Sequence, residues 1–304
     1  MPSVLEALPQ AGRVAVIRLR SLGDCVLTTP ALDILKRFRP DARVSVVVED
    51  CFRAIFEGNP DIDELLPPDL RLLRRARPQL CLNLHGGPRS AWMTALSGAR
   101  WRAGFAHFRN RFAYNLRIPR AQEILGLERK VHTAEHLAAA IFYLGAPPCE
   151  VPRAKLRAAK PAAPCAVIHP VAATSAKTWP AERFLQVARW LESSGADVAV
   201  IGSAADDLSP FRAFRTLSGA PLSEIQALMA SATAFVGNDS GPAHMAAAFG
   251  VPSVVLFGAS DPDIWGPWRS PGEILTSRET IAEIPTEQVI EALQRARRAS
   301  QVRA

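Results

Sequence analysis

The chain has too few cysteines, too irregularly placed, to build a disulfide framework. Its five, Cys25, Cys51, Cys81, Cys149 and Cys165, are odd in number and form no Cys-x-x-Cys pair. That spacing argues against a zinc ribbon and fits a reducing compartment. No apolar run approaches the roughly 20 residues of a membrane span. Residues 1–20 lack the basic start, apolar stretch and small-residue cleavage site of a secretory leader. The expectation is a cytoplasmic chain whose membrane contact, if any, is peripheral. A further absence is local. Residues 70–122 contain no Asp, Glu or Lys, yet hold eleven arginines: 71, 74, 75, 77, 89, 100, 102, 109, 111, 117 and 120. Those eleven exceed the net charge of +7, so the remainder of the chain is acidic, at −4. Arginine alone suits planar, bidentate recognition of phosphate or carboxylate. Its field attracts nucleic acid, acidic lipid or a phosphorylated sugar; a plain solvated basic face is the other reading. Trp92, Trp101, Phe105, Phe108, Phe112 and Tyr114 interleave with the arginines. Their β/α setting assigns them to core packing rather than base stacking, so nucleic acid is not the expected partner.

What is present is enough for two cores: 304 residues, 48% of them hydrophobic. Apolar strands are expected at 14–17, 44–48 and 80–84, and helices at 29–38, 51–57, 90–96 and 133–144. Residues 150–164 have the composition of a linker. The pattern then restarts, with strands at 166–169 and 197–201 and helices at 181–193, 205–214 and 222–230. This gives an N-terminal domain over 1–155, a second over 156–285 and a terminal helix over 286–304 that can pack back on the first. Alternating strands and helices imply an α/β chain of two doubly wound, Rossmann-like domains with parallel sheets. Ligands of such sheets bind beyond the carboxyl ends of strands, so the cleft between the domains is the expected site.

Residues 237–250 are the most specific stretch. The apolar strand at 232–236 enters Gly-Asn-Asp-Ser-Gly-Pro-Ala-His, a small-residue helix follows, and a second strand comes at 251–258. Asp239 or Ser240 is positioned to cap the helix, and Pro242 suits its first turn. The first amides of such a helix form an anion site, most often for phosphate.

Several segments in order resemble glycosyltransferase family 9, the ADP-heptose:lipopolysaccharide heptosyltransferases. They are Val-Ile-Arg-Leu-Arg-Ser-Leu-Gly-Asp at 16–24, Asn83-Leu84-His85-Gly86 with Arg89-Ser90, and His169-Pro170 with Lys177-Thr178-Trp179-Pro180. The run at 237–250 and Phe257-Gly258-Ala259-Ser260-Asp261-Pro262 complete the set. The resemblance implies a GT-B fold, with two domains facing across a cleft. It implies inverting, metal-independent transfer of heptose from an ADP-sugar, with no cofactor. The implied acceptor is an anionic lipopolysaccharide-core glycolipid at the inner membrane surface. It makes Asp24 the base that takes the acceptor proton and Lys177 the cation that meets the departing diphosphate. Donor contacts fall to Thr174, Ser175, Asp206, Asp239, Ser240, Gly241 and His244, with Asp206 on the nucleoside and Asp239 on amides or sugar hydroxyls. With the arginine-only stretch, it assigns Arg18, Arg20, Arg89, Arg109 and Arg111 to the acceptor. Val171 stands where the family usually has Gly after His-Pro.

Simpler roles remain open for these residues. Asp24 also reads as a helix cap, Lys177 as a solvated loop lysine and His244 as a packed helix histidine. His132-Thr133-Ala134-Glu135-His136 matches the H-x-x-E-H pattern of a zinc peptidase, but no downstream Glu ligand stands out. Other readings are a GT-B transferase or epimerase for another nucleotide sugar, and a non-catalytic nucleotide-sugar or nucleic-acid binder.

Overall fold

A computed structural model describes residues 3–158 and 162–301; residues 159–161 of the expected linker lie outside them. The chain divides into two compact units, Met1–Lys155 and Leu156–Ala304. The first contains β1 (Arg13–Ile17), α1 (Leu22–Phe38), β2 (Arg43–Val47), β3 (Glu64–Leu66), α2 (Leu70–Arg75) and β4 (Leu80–Asn83). It continues with α3 (Pro88–Leu96), β5 (Trp101–Phe105), β6 (Leu116–Ile118), α4 (Ala121–Leu125) and α5 (Thr133–Leu144). Its six strands are all parallel, in the order β3-β2-β1-β4-β5-β6. The central strands read as nearly unbroken apolar runs because helices cover both sheet faces; β4 is buried along its whole length. The direction of winding reverses between β1 and β4, and such reversals are where doubly wound sheets bind ligands.

The first helix starts at Leu22, seven residues before the expected Thr29, and carries Pro30 in its interior. A proline there cannot donate to the carbonyl four residues back. The Thr29 hydroxyl donates to that carbonyl, on Val26, at 2.9 Å and fully buried. The Thr29 oxygen also accepts the Lys155 N–H at 2.9 Å. Lys155 thereby ends a segment expected to be free linker but packed on this unit, with Val151 and Ala154 buried. Its ammonium lies 2.9 Å from Asp33 and 3.0 Å from Asp61, so Asp33, 1% exposed, is not left as a lone buried charge. The expected helix at 51–57 is a 3-10 turn, Asp50–Ile55.

The second unit contains β7 (Cys165–His169), α6 (Ala181–Ser193), β8 (Val198–Gly202), β9 (Arg215–Ser218), α7 (Leu222–Ala230) and β10 (Ala232–Asn238). Then come α8 (Gly241–Phe249), β11 (Ser253–Phe257), α9 (Pro262–Trp265), β12 (Glu273–Thr276) and α10 (Thr286–Gln301). Its parallel sheet runs β12-β11-β10-β7-β8-β9, with the reversal between β7 and β10. In α6 the residues Phe184, Val187, Ala188 and Leu191 form one buried stripe. The expected helix over 205–214 is reduced to a 3-10 turn, Ser209–Phe211. The terminal helix α10 lies against α6, β10, β11 and β12 of this unit. Val171 is half-buried against the same core.

The interleaved aromatics divide. Phe105 and Tyr114 are buried as expected, but Trp92 and Phe112 are each 57% exposed, with ring centroids 5.0 Å apart. No helix among the described residues is long and apolar enough to cross a membrane.

Candidate functional site

Each unit gathers its polar residues at its own sheet reversal. In the second unit β7 ends at His169, β10 ends at Asn238, and α8 begins at Gly241. The Asp239 carboxylate accepts from the Lys177 ammonium at 3.0 Å and from the Ser260 hydroxyl. Ser240 occupies the N-cap position of α8, but its Oγ lies 3.0 Å from His169 Nδ1. Neither residue caps the helix, contrary to expectation, because each has a side-chain partner: an ammonium for Asp239, a buried imidazole for Ser240. The positive end of α8 therefore has no side-chain cap, and an anion is what such an end attracts.

The loop carrying Lys177 is fixed from two sides. Asn238 Oδ1 accepts the Trp179 N–H at 3.0 Å, and the buried Trp179 indole donates to the Ile284 carbonyl at 2.9 Å. A Cβ at Gly258 would collide with the Ala176 carbonyl, so glycine there lets the loop approach. Thr174 and Ser175 are exposed; Thr174 leads into the 3-10 turn Ser175–Lys177. Asp206 accepts the Ser203 N–H at 2.6 Å in the turn after β8. Burial pushes the His169 imidazole down to about 4, with Asp206 opposing, so the ring is neutral at pH 7. His244 is buried on α8 at 6% exposure. Lys177, Asp239, Ser240 and Gly241 thus meet at the start of α8, with His244 buried one turn further along the helix. Thr174 and Ser175 line the adjoining loop, and Asp206 lies on the His169 side.

In the first unit the β1 end carries Arg18, only 5% exposed. Its guanidinium lies 3.7 Å from the Asp24 carboxylate, and its Nε donates to Thr28 at 3.1 Å. Burial lowers its pKa against the pull of Asp24. Asp24 is the third residue of α1 and does not cap it; Ser21 holds the cap position and donates to Asp24 Oδ2 at 3.2 Å. Asp24 is thus held by Ser21 and Arg18 with its side chain 28% exposed. Arg18, expected on the acceptor, faces inward to Asp24.

The β4 end supplies His85. Its pKa is lowered by burial, then by Arg18, with Arg20 and Asp24 also nearby. The loop is shaped by Asn83, fully buried. Asn83 Oδ1 accepts the His85 and Gly86 N–H groups at 2.9 and 3.0 Å, and its amide nitrogen donates to Ser90 at 3.1 Å and Tyr114 at 3.0 Å. Of the other arginines assigned to the acceptor, Arg89 reaches Glu49 at 3.4 Å and the Pro68 carbonyl at 3.1 Å. Arg20, Arg109 and Arg111 are exposed.

The sequence reading gave no role to His85, His169 or Ser260. The available signal was their position at or just past the ends of β4, β7 and β11. The H-x-x-E-H pattern dissolves on inspection. His132 Nδ1 caps α5 by accepting the Ala134 N–H at 3.1 Å. Glu135 completes a capping box and pairs with Arg129 at 2.6 Å. His136 stacks on Phe105 at 4.0 Å, with its pKa pushed down to about 4 by burial. Among the described residues no group of three or more His, Cys, Asp or Glu could hold a metal ion.

The model for glycosyltransferase family 9 (heptosyltransferase) matches residues 70–291. Lipopolysaccharide heptosyltransferase 3 of Escherichia coli is 26% identical, over 91% of this chain and 96% of its own length. A family 9 glycosyl transferase from Veillonella parvula superposes with a TM-score of 0.84 at 22% identity, covering 95% of this chain and 99% of that one. The E. coli ADP-heptose lipopolysaccharide heptosyltransferase II gives 0.79 at 22%, covering 96% and 100%. The fold is therefore the α/β GT-B type, and this chain belongs to glycosyltransferase family 9, the heptosyltransferases.

Proposed function

We propose that this enzyme moves a heptosyl group from ADP-heptose to a hydroxyl of an anionic lipopolysaccharide-core acceptor. Transfer inverts the anomeric centre and needs no metal. The reading rests foremost on the second unit's cradle: a fixed ammonium, Lys177, beside a helix end that no side chain caps. These are the two elements that a leaving diphosphate needs where no metal supplies charge.

In this scheme the acceptor oxygen attacks the anomeric carbon, the bond from that carbon to the diphosphate breaks, and ADP departs. Lys177 and the first amides of α8 neutralise it. Asp24 removes the acceptor proton; a positioned base of this kind contributes about 10²–10⁴ in rate. Ser21 and Arg18 orient that carboxylate. Asp239 accepts from sugar hydroxyls while tethering Lys177, and Asp206 addresses the nucleoside. Ser240, Gly241, His244, Thr174 and Ser175 complete the donor side, and Arg20, Arg89, Arg109 and Arg111 meet acceptor phosphates. The similar E. coli protein is named for ADP-heptose and lipopolysaccharide, which supports both substrates. The enzyme works at the cytoplasmic face of the inner membrane.

Thermal-shift measurements with ADP-, UDP- and GDP-sugars test the donor: ADP-heptose should stabilise most, and equal shifts from all three would overturn it. NMR of the product should show an inverted anomeric centre. Activity should survive EDTA; loss restored by added Mg²⁺ would overturn metal independence.

A further inference from the structure

We infer that the first unit carries a bilayer-docking surface, centred on Trp92 and Phe112 and fitted to anionic phospholipid headgroups. The inference extends the glycolipid-acceptor reading, because an acceptor held in a membrane must be met at its surface. On α3, Arg89, Trp92 and Leu96 stand at positions i, i+3 and i+7 and share one face. Trp92 and Phe112 are each 57% exposed and Leu96 is 47% exposed. The two rings pack on each other, 5.0 Å between centroids. A soluble surface rarely displays two large aromatics side by side. Arg109 and Arg111, both exposed, precede Phe112 in the segment after β5.

Charge selects the occupant. The surrounding stretch, 70–122, has eleven arginines and no acid. A second protein would ordinarily offer mixed charge, whereas the cytoplasmic leaflet offers uniform negative charge over an apolar layer. Aromatic rings at headgroup depth with arginines reaching phosphates match that profile. The placement also suits the chemistry. The helix α3 begins directly after the β4 loop with His85, and the Phe112 segment follows β5. Both start from the strand-end edge of the sheet on which Asp24 lies.

The test uses the full chain and sedimentation with phosphatidylethanolamine vesicles, with or without phosphatidylglycerol. Wild type should bind the anionic vesicles. The W92S/F112S variant, altered only at exposed positions, should bind them about tenfold less, with ADP affinity unchanged. Brominated lipid should quench wild-type fluorescence more than that of W92F. Equal binding of the double variant and wild type would overturn the inference, as would indifference to phosphatidylglycerol. So would a wild-type dimer dispersed by the double substitution, which would make the patch a protein interface. Single-stranded RNA binding lost in the same variant would assign it to nucleic acid instead. Vesicle binding by an enzyme that transfers no heptose sinks the transferase reading alone. Transfer to a detergent-solubilised acceptor without vesicle binding sinks this one alone.

Discussion

The Lys177–Asp239 pair makes a prediction in which the sign matters more than the size. The two groups lie 3.0 Å apart, with side chains 33% and 11% exposed. If Lys177 meets the ADP diphosphate, K177M removes a charge-assisted contact of about 1.5–3 kcal/mol, which is roughly a 10–150-fold loss of ADP affinity. Asp239 then shares its cation with a second anion. A phosphate about 6 Å from that carboxylate is opposed by roughly 3 kcal/mol at an effective dielectric near 20. The pair is partly solvated and screened by salt, so about 1 kcal/mol is the working figure. D239N should therefore tighten ADP about fivefold. It should do the reverse for the sugar, lowering the preference for ADP-heptose over ADP, because the carboxylate accepts from sugar hydroxyls in the proposed scheme. Isothermal titration of both ligands against the two variants reads all three effects. If both substitutions shift ADP affinity in the same direction, or K177M leaves it within about twofold, the cradle does not hold the diphosphate.

Three further outcomes are expected. D24N should lower turnover by about 10²–10⁴ while ADP-heptose affinity by titration stays unchanged; undiminished turnover would remove Asp24 from the reaction. N83A deletes four hydrogen bonds, two of them buried, and should cost about 2–4 kcal/mol in urea unfolding, so a loss below about 1 kcal/mol would mean the β4 loop is held by other contacts. His136 is kept neutral in the fold, with its pKa depressed to about 4, whereas the unfolded chain protonates near pH 6.5. Its contribution is therefore whole above pH 6.5 and declines as pH falls toward 4; H136F, retaining the stack on Phe105, should flatten that acid limb by up to about 1.4 kcal/mol per pH unit, and an unchanged limb would refute the assignment.

The α/β class and the main central strands were legible because buried parallel strands are continuous apolar runs. The misreadings share a cause: a rule of composition was overruled by a particular side-chain contact. Helix α1 was read as starting at Thr29, and only the Thr29–Val26 bond explains how it runs through Pro30. Residues 150–155 have linker composition, yet Lys155 is claimed by Asp33 and Asp61. The short edge strands β3 and β6, three residues each, carry too little pattern to detect. Asp24, Lys177 and the start of α8 stand out in the sequence because ordered motifs mark strand ends. His169 and Ser260 carry no role legible in the sequence, since their meaning lies in contacts with Ser240 and Asp239. The exposure of Trp92 and Phe112 was invisible because composition does not say which face of a helix is covered.

Two serines at N-cap positions are used differently from the side-chain caps elsewhere in the fold. Asp69 caps α2, His132 caps α5 and Asp261 caps α9, each accepting backbone N–H groups. Such a bond is worth about 1 kcal/mol. Ser21 and Ser240 stand at the same position of α1 and α8, and both could cap. Instead one hydroxyl donates to Asp24 and the other meets His169. These two helices follow β1 and β10, strands at the reversals of their respective sheets. A serine there that caps would hide the helix end from any ligand; a serine that turns aside leaves the amides available and orients a neighbouring group. Replacing Ser240 by alanine should therefore cost about 1 kcal/mol in unfolding, the bond to the buried His169 ring, and leave ADP affinity within about twofold. A marked tightening of ADP would mean that the hydroxyl caps α8 in solution, and the open helix end on which the donor site depends would not exist.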